Sequence, residues 1–161
     1  MAGGIQLSVA AAVLLRSVER KPASVPDLAA AVPSLAAGAL VFAAGHGQPW
    51  TPPAIAAAGI GAGIAVLGLA SLGRSFAVLP GVRRLQTRGL YRFVRHPIYL
   101  GELLFLAAAA SRLGRPGAAA VAVVIPLLAW RILVEERLLA DEPGWDAWAR
   151  LVRWRLLPGL W

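Results

Sequence analysis

Four long apolar stretches, with arginines gathered in the segments that follow the second and the third, constrain this chain more than any other feature. The hydrocarbon core of a bilayer is about 30 Å thick and takes roughly 20 helical residues to cross, or about 17 at the short limit. Leu28 to Gly45 is one such stretch, with Pro33 its only awkward residue. Ala54 to Gly73 is a second, approached through Thr51, Pro52 and Pro53. Pro97 to Leu113 is a third, short and interrupted by Glu102, and Ala118 to Val134 is a fourth. Ile5 to Leu15 is apolar but too short to cross alone. Its positive charges, Arg16, Arg20 and Lys21, follow the apolar run, the reverse of a secretory signal peptide. It is therefore expected to be a short or tilted helix kept in the mature protein. With 58% of its 161 residues apolar and 15% charged, the chain carries more apolar surface than a soluble domain of this size could bury. The expected fold is all-α: a polytopic membrane helical bundle with four transmembrane helices and a short N-terminal one.

Arginine placement sets the expected orientation. Arg74, Arg83, Arg84, Arg88, Arg92 and Arg95 fall between the second and third spans with no acid among them, so that loop should be cytoplasmic. His46 to Trp50 carries no Lys or Arg and suits the far side. Arg112 and Arg115, between the third and fourth spans, break this pattern; a hairpin that does not fully cross, or a snorkelling pair, would account for them. The formal charge of +8 follows the positive-inside rule of an inner or plasma membrane protein and does not form a DNA-reading helix, so nucleic acid is not an expected partner. Cysteine is absent, which excludes disulfides, thiolate metal sites and a cysteine nucleophile. No metal site is expected.

From Glu135 onward charges mix with aromatics. Trp145, Trp148 and Val152 share one face at helical spacing, and Asp141, Glu142, Asp146 and Arg150 supply polarity, the pattern of an amphipathic helix lying in the membrane interface. Gly59, Gly61 and Gly63 lie inside a lipid-spanning stretch with no strand before them, so they do not form a nucleotide-binding loop. Gly59 and Gly63 have the four-residue spacing of close helix packing, within the bundle or against a partner chain.

Two clusters bear on chemistry. In the run Gly89 to Gly101, Pro97 suits the first turn of a helix, which puts His96 at a helix N-terminus where free N–H groups and the macrodipole favour an anion. Tyr99 lies three residues on, near His96 on one face, and Gly101 removes a side chain where something must come close. An interfacial girdle of Arg, His and Tyr would use the same residue types. The second cluster, Arg131, Glu135 and Glu136, ends the fourth span on the same side; a plain Arg131–Glu135 helix pair is its simplest reading. Together they offer an anion site, aromatic faces and a carboxylate. A zwitterionic amino-acid ligand would place its carboxylate at His96 and its ammonium at Glu135. S-adenosylmethionine has such a tail, and its sulfonium suits aromatic rings.

Gly89-Leu90-Tyr91, Arg95-His96-Pro97-Ile98-Tyr99-Leu100-Gly101, the paired Glu135-Glu136, Gly144 to Trp148 and Leu157-Pro158-Gly159 resemble the isoprenylcysteine carboxyl methyltransferase family, bacterial members included. The resemblance covers roughly Leu72 to Trp161. It implies an S-adenosylmethionine-dependent membrane methyltransferase with its cofactor at the cytoplasmic end of the last two helices. Residues 1–161 would form one membrane domain, with 74–161 as the cofactor-binding part. By position in the motifs, Tyr91, His96, Pro97, Ile98 and Tyr99 would line the cofactor. Arg84, Leu85 and Gln86 would touch it through the preceding loop, and Glu135 would hold its amino group. Arg131 would face the methyl acceptor, a lipophilic or lipidated molecule arriving through the membrane lipids. The family often has Tyr where this chain has Trp145 and Trp148.

Transfer to an anionic acceptor needs positioning and water exclusion above all. Arg131 can orient such an acceptor but, always protonated, cannot be a base. A neutral acceptor would need one, and Glu102, Glu136 and a neutral His96 are the candidates. A sterol-reductase-like NADPH enzyme and a non-catalytic scaffold or transporter subunit are the competing functional classes.

Overall fold

The computed structural model describes residues 25–72 and 85–161, and every regular element among them is helical. Helix α1 is Val25–Ala44 and α2 is Pro52–Leu72. A 3-10 turn, Gly89–Arg92, leads to α3, Pro97–Ser111, then α4, Arg115–Leu139, and a short α5, Trp145–Leu151. The Ile5 to Leu15 stretch, with Arg16, Arg20 and Lys21, lies outside the described residues, as do Arg74, Arg83 and Arg84.

A helix occupies each of the four expected spans, and two of the four are long and apolar enough to cross a membrane. Among the described residues Pro52–Leu72 and Arg115–Leu139 are long and apolar enough to cross, whereas Pro97–Ser111 is a shorter apolar helix. The reason in α3 is visible at its ends. Pro97 at the first position prevents extension backwards, and the turn at Arg112 to Gly114 stops it after 15 residues. At 1.5 Å per residue that is about 22 Å, short of a ~30 Å hydrocarbon core. A buried soluble core would enclose its apolar helices, but only 17% of the α2 window and 28% of the α4 window is buried. Ile55, Ile60, Val66 and Leu67 of α2 and Val123 and Ile125 of α4 point outward, as lipid-facing side chains do.

Helices α2 and α3 make the closest pairing, and glycine makes it possible. A Cβ on Gly61 would sit 2.7 Å from the Gly101 carbonyl oxygen and from the Phe105 nitrogen. One on Gly101 would meet the Gly61 oxygen at 2.5 Å. Close packing through glycine is therefore real, but it runs through Gly61; Gly59 and Gly63 face open space and are exposed. Spacing alone could not choose between the three, because which face meets α3 is set by α3.

Three apolar clusters hold the rest. Val41, Leu106, Ala110 and Val124 join α1, α3 and α4. Leu128, Ile132 and Leu156 carry the C-terminal segment onto α4, with Tyr99, Leu100, Leu103 and Trp161 around them. Tyr91, Trp145, Trp148 and Val152 form the third. The shared face of Trp145, Trp148 and Val152 is thus packed on Tyr91.

Arg112 explains its own exception to the charge rule. Its guanidinium lies 4.0 Å over the Trp50 ring and donates to the Gln48 carbonyl at 3.3 Å. This ties the α3–α4 turn to the α1–α2 turn, at the opposite end of the bundle from the two clusters.

Candidate active site

The chain approaches α3 already fastened to the C-terminal segment. The Arg95 N–H donates to the Trp154 carbonyl and the His96 N–H to the Arg155 carbonyl, both at 2.9 Å. The Arg95 side chain donates to the Val152 and Ala149 carbonyls, each at 2.7 Å. Behind it, Arg155 and Leu156 donate through their backbone to the Trp161 carbonyl. These bonds fix where α3 begins and hence where His96 and Tyr99 stand.

Glu136 is the centre of the first polar cluster. Its Oε1 accepts from Arg95 Nη1 at 3.1 Å and, with the proton on Nε2, from His96 at 3.2 Å. Its Oε2 accepts from Arg155 Nε and Nη2, both at 2.9 Å. Two guanidiniums and an imidazole surround one buried carboxylate, which satisfies the charge that burial would otherwise penalise. On the outer side Arg95, Glu136, Arg137, Trp145 and Arg155 line an open cleft of about 350 Å³.

Glu135, one residue earlier, faces the other way. Its Oε2 accepts the Tyr99 hydroxyl at 2.6 Å, and it has no second hydrogen bond among the described residues. Arg131, 4% exposed, lies with its guanidinium 4.8 Å over the Tyr99 ring. Its Nη1 reaches Ser34 Oγ of α1 at 3.4 Å and Glu102 Oε2 of α3 at 4.0 Å. Tyr99 and Glu102 are three apart on α3, Arg131 and Glu135 four apart on α4, so the two faces meet as a quartet. Burial first, and the Glu135 carboxylate next, push the Tyr91 phenol well above its ordinary value, which keeps it neutral.

The residues singled out from sequence fall into three groups. Tyr99, Arg131 and Glu135 come together as described, with Tyr91 close enough to feel the Glu135 charge. His96 is buried with its ring stacked on Tyr99 at 5.6 Å, and its Nε2 is engaged with Glu136. Pro97 is buried at the start of α3, and Ile98 packs where a Gly68 side chain would be, against α2. Leu85 packs on the Tyr91–Trp145–Trp148 cluster. Gln86 donates to the Ser71 carbonyl at the end of α2 and accepts from the Thr87 and Arg88 N–H groups. Arg84 lies outside the described residues. The sequence reading missed Ser34 and Arg155. Neither has a local signal, since their partners lie 97 and 19 residues away.

A carboxylate bonded on one oxygen by a tyrosine hydroxyl, one helical turn from a buried guanidinium, can hold a cation and orient a polar group beside it. The family model for phospholipid methyltransferases matches residues 53–142, more than half of the 161-residue chain. The chain belongs to the phospholipid methyltransferase family. That family takes in the isoprenylcysteine carboxyl methyltransferase-like membrane enzymes which the motifs resemble, and membership makes this chain a membrane methyltransferase. The matched region runs from α2 to just past α4 and so contains Tyr99, Glu102, Arg131, Glu135 and Glu136, while Ser34 and Arg155 fall outside it. Comparison with curated proteins and with solved structures returns no match.

Proposed function

We propose that the protein transfers a methyl group from S-adenosylmethionine to a lipophilic acceptor at the Tyr99–Glu135–Arg131 cluster. The observation that carries this is the half-buried Glu135 carboxylate, bonded on one oxygen by the Tyr99 hydroxyl, with the Arg131 guanidinium over the Tyr99 ring. Its donor chemistry suits the cofactor: an anion for the ammonium, and tyrosine faces for the sulfonium. Bound there, S-adenosylmethionine supplies an electrophilic methyl group.

The chain's own residues do the rest. Tyr99 orients Glu135 by its hydroxyl, and Tyr91, kept neutral, gives a second aromatic wall. Arg131 lies on the acceptor side and fixes the acceptor's polar end through its planar fork. Leu85 and Gln86, with Arg84 before them, contact the cofactor from the loop, and Pro97 and Ile98 shape the floor. His96 contributes by holding Glu136 and stacking on Tyr99. Alignment and water exclusion are the main sources of acceleration, as in any displacement between bound partners. The arginine distribution supports a cytoplasmic position for this end of the bundle, where a soluble cofactor and a bilayer-borne acceptor would meet at one boundary.

Calorimetric titration of S-adenosylhomocysteine into detergent-purified protein tests the reading. Wild-type binding that Glu135→Ala and Tyr99→Phe both weaken supports it. A folded wild-type sample that takes up no S-adenosylhomocysteine removes the cofactor from the site.

A further inference from the structure

We infer that Glu102 is the proton acceptor of the reaction, and that the methyl acceptor therefore arrives carrying its own proton, on an O–H or N–H group, and not as a carboxylate. This rests on the methyltransferase reading above and adds a residue and a substrate class to it.

The geometry disposes of the other bases. Glu136 is closed off by Arg95, His96 and Arg155 on both oxygens. The Nε2 of His96 is committed to Glu136 in a buried position. Glu135 is capped by Tyr99 and faces the cofactor's cation in the proposed site. Glu102 differs from all three. It lies within the apolar helix Pro97–Ser111, where a carboxylate is costly to keep. Its side chain is 37% exposed, and Arg131 stands 4.0 Å away, too far for a hydrogen bond. The carboxylate thus neutralises Arg131 while keeping oxygen lone pairs to offer. The row Glu102, Arg131, Tyr99, Glu135 leads from the outward-facing carboxylate to the proposed cofactor carboxylate.

Charge decides which acceptor fits. Arg131 already faces Glu102, so a carboxylate acceptor would bring a second anion beside Glu102 in a low-dielectric setting. A neutral hydroxyl or amine avoids that repulsion and gives Glu102 a proton to take. In the step, the acceptor's O–H or N–H bond breaks and its proton goes to a Glu102 oxygen. The acceptor's electron pair forms the bond to the methyl carbon, and the carbon–sulfur bond breaks with its pair going to sulfur. Glu102 then releases the proton to water as product leaves.

The test uses full-length protein in lipid nanodiscs with bound S-adenosylhomocysteine, titrated with 4-dodecylphenol and with dodecanoate at neutral pH. Wild type should bind the phenol at least about tenfold more tightly. Glu102→Gln should invert the order, because the Glu102 charge beside Arg131 is removed, and Glu102→Asp should keep the wild-type order. Methylation of the phenol from labelled S-adenosylmethionine should fall about 100-fold in Glu102→Gln, the usual scale for losing a general base. Its S-adenosylhomocysteine affinity should stay unchanged, which also certifies the fold. Wild-type preference for dodecanoate, or an order that Glu102→Gln leaves alone, overturns the proposal. Loss of S-adenosylhomocysteine binding by wild type would instead remove the methyltransferase reading beneath it.

Discussion

Glu135 and Glu136 are consecutive residues near the end of α4, about 100° apart around the helix. Glu136 accepts from two arginines and a histidine, and with them locks the start of α3 to the C-terminal segment. Glu135 accepts from Tyr99 alone among the described residues and stands beside Arg131 and Tyr91. The same side chain on adjacent positions is closed in one case and open in the other. A closed carboxylate holds structure, and an open one at a helix end is available to a ligand. The paired glutamate thus divides a structural role from a binding role by one helical step.

Replacing Glu136 by Ala should have the largest effect on stability. It would leave Arg95, His96 and part of Arg155 facing each other without their anion. Breaking a buried pair from one side costs about 3–5 kcal/mol. Thermal unfolding in detergent should show a large drop in Tm, and cofactor affinity should fall with it because Tyr99 stacks on His96. A variant as stable as wild type would mean the cluster is a surface ion pair of small value.

Glu135→Ala should give the complementary result: little change in Tm, and S-adenosylhomocysteine affinity weaker by about 10- to 100-fold. That range corresponds to about 1.5–3 kcal/mol for a charge-assisted hydrogen bond. If stability falls as far as in the Glu136 variant while affinity holds, the division between the two glutamates is wrong.

The open side also depends on how closely α2 holds α3. Gly101→Leu should cost about 1–3 kcal/mol by overpacking against the Gly61 carbonyl, and Gly59→Leu should change stability little. Paired melts of these two variants would show whether the glycine contact is at Gly61, as found, or at the Gly59–Gly63 spacing that the sequence suggested.

How much of this was legible in the sequence follows from the range of each signal. Apolar length and proline placement located all four main helices, because those signals are local. They did not show that Pro97 and the Gly114 turn would leave α3 shorter than α2 and α4. The pairing of Tyr99 with the α4 acid and arginine was foreshadowed by the motifs, as both clusters lie at one end of the bundle. The separate fates of Glu135 and Glu136 were not, because they depend on Arg155 in the C-terminal segment and on Arg95 and His96 ahead of α3. Such partners are fixed only once the helices are packed.

Trp148 gives the smallest and most finely balanced prediction. Its ring is buried on the closed side, 5.4 Å from Trp145, yet its Nε1–H has no hydrogen-bond partner among the described residues. A buried donor without a partner costs about 1–3 kcal/mol. Trp148→Phe removes that donor but also gives up buried aromatic surface, worth about 25 cal/mol per Å². The two terms oppose each other, so the variant should melt within about 1 kcal/mol of wild type. A clear loss beyond that would show that the indole N–H is satisfied in the folded protein, for example by water. A gain would show that tight packing around Tyr91 keeps a tryptophan here despite its polar atom.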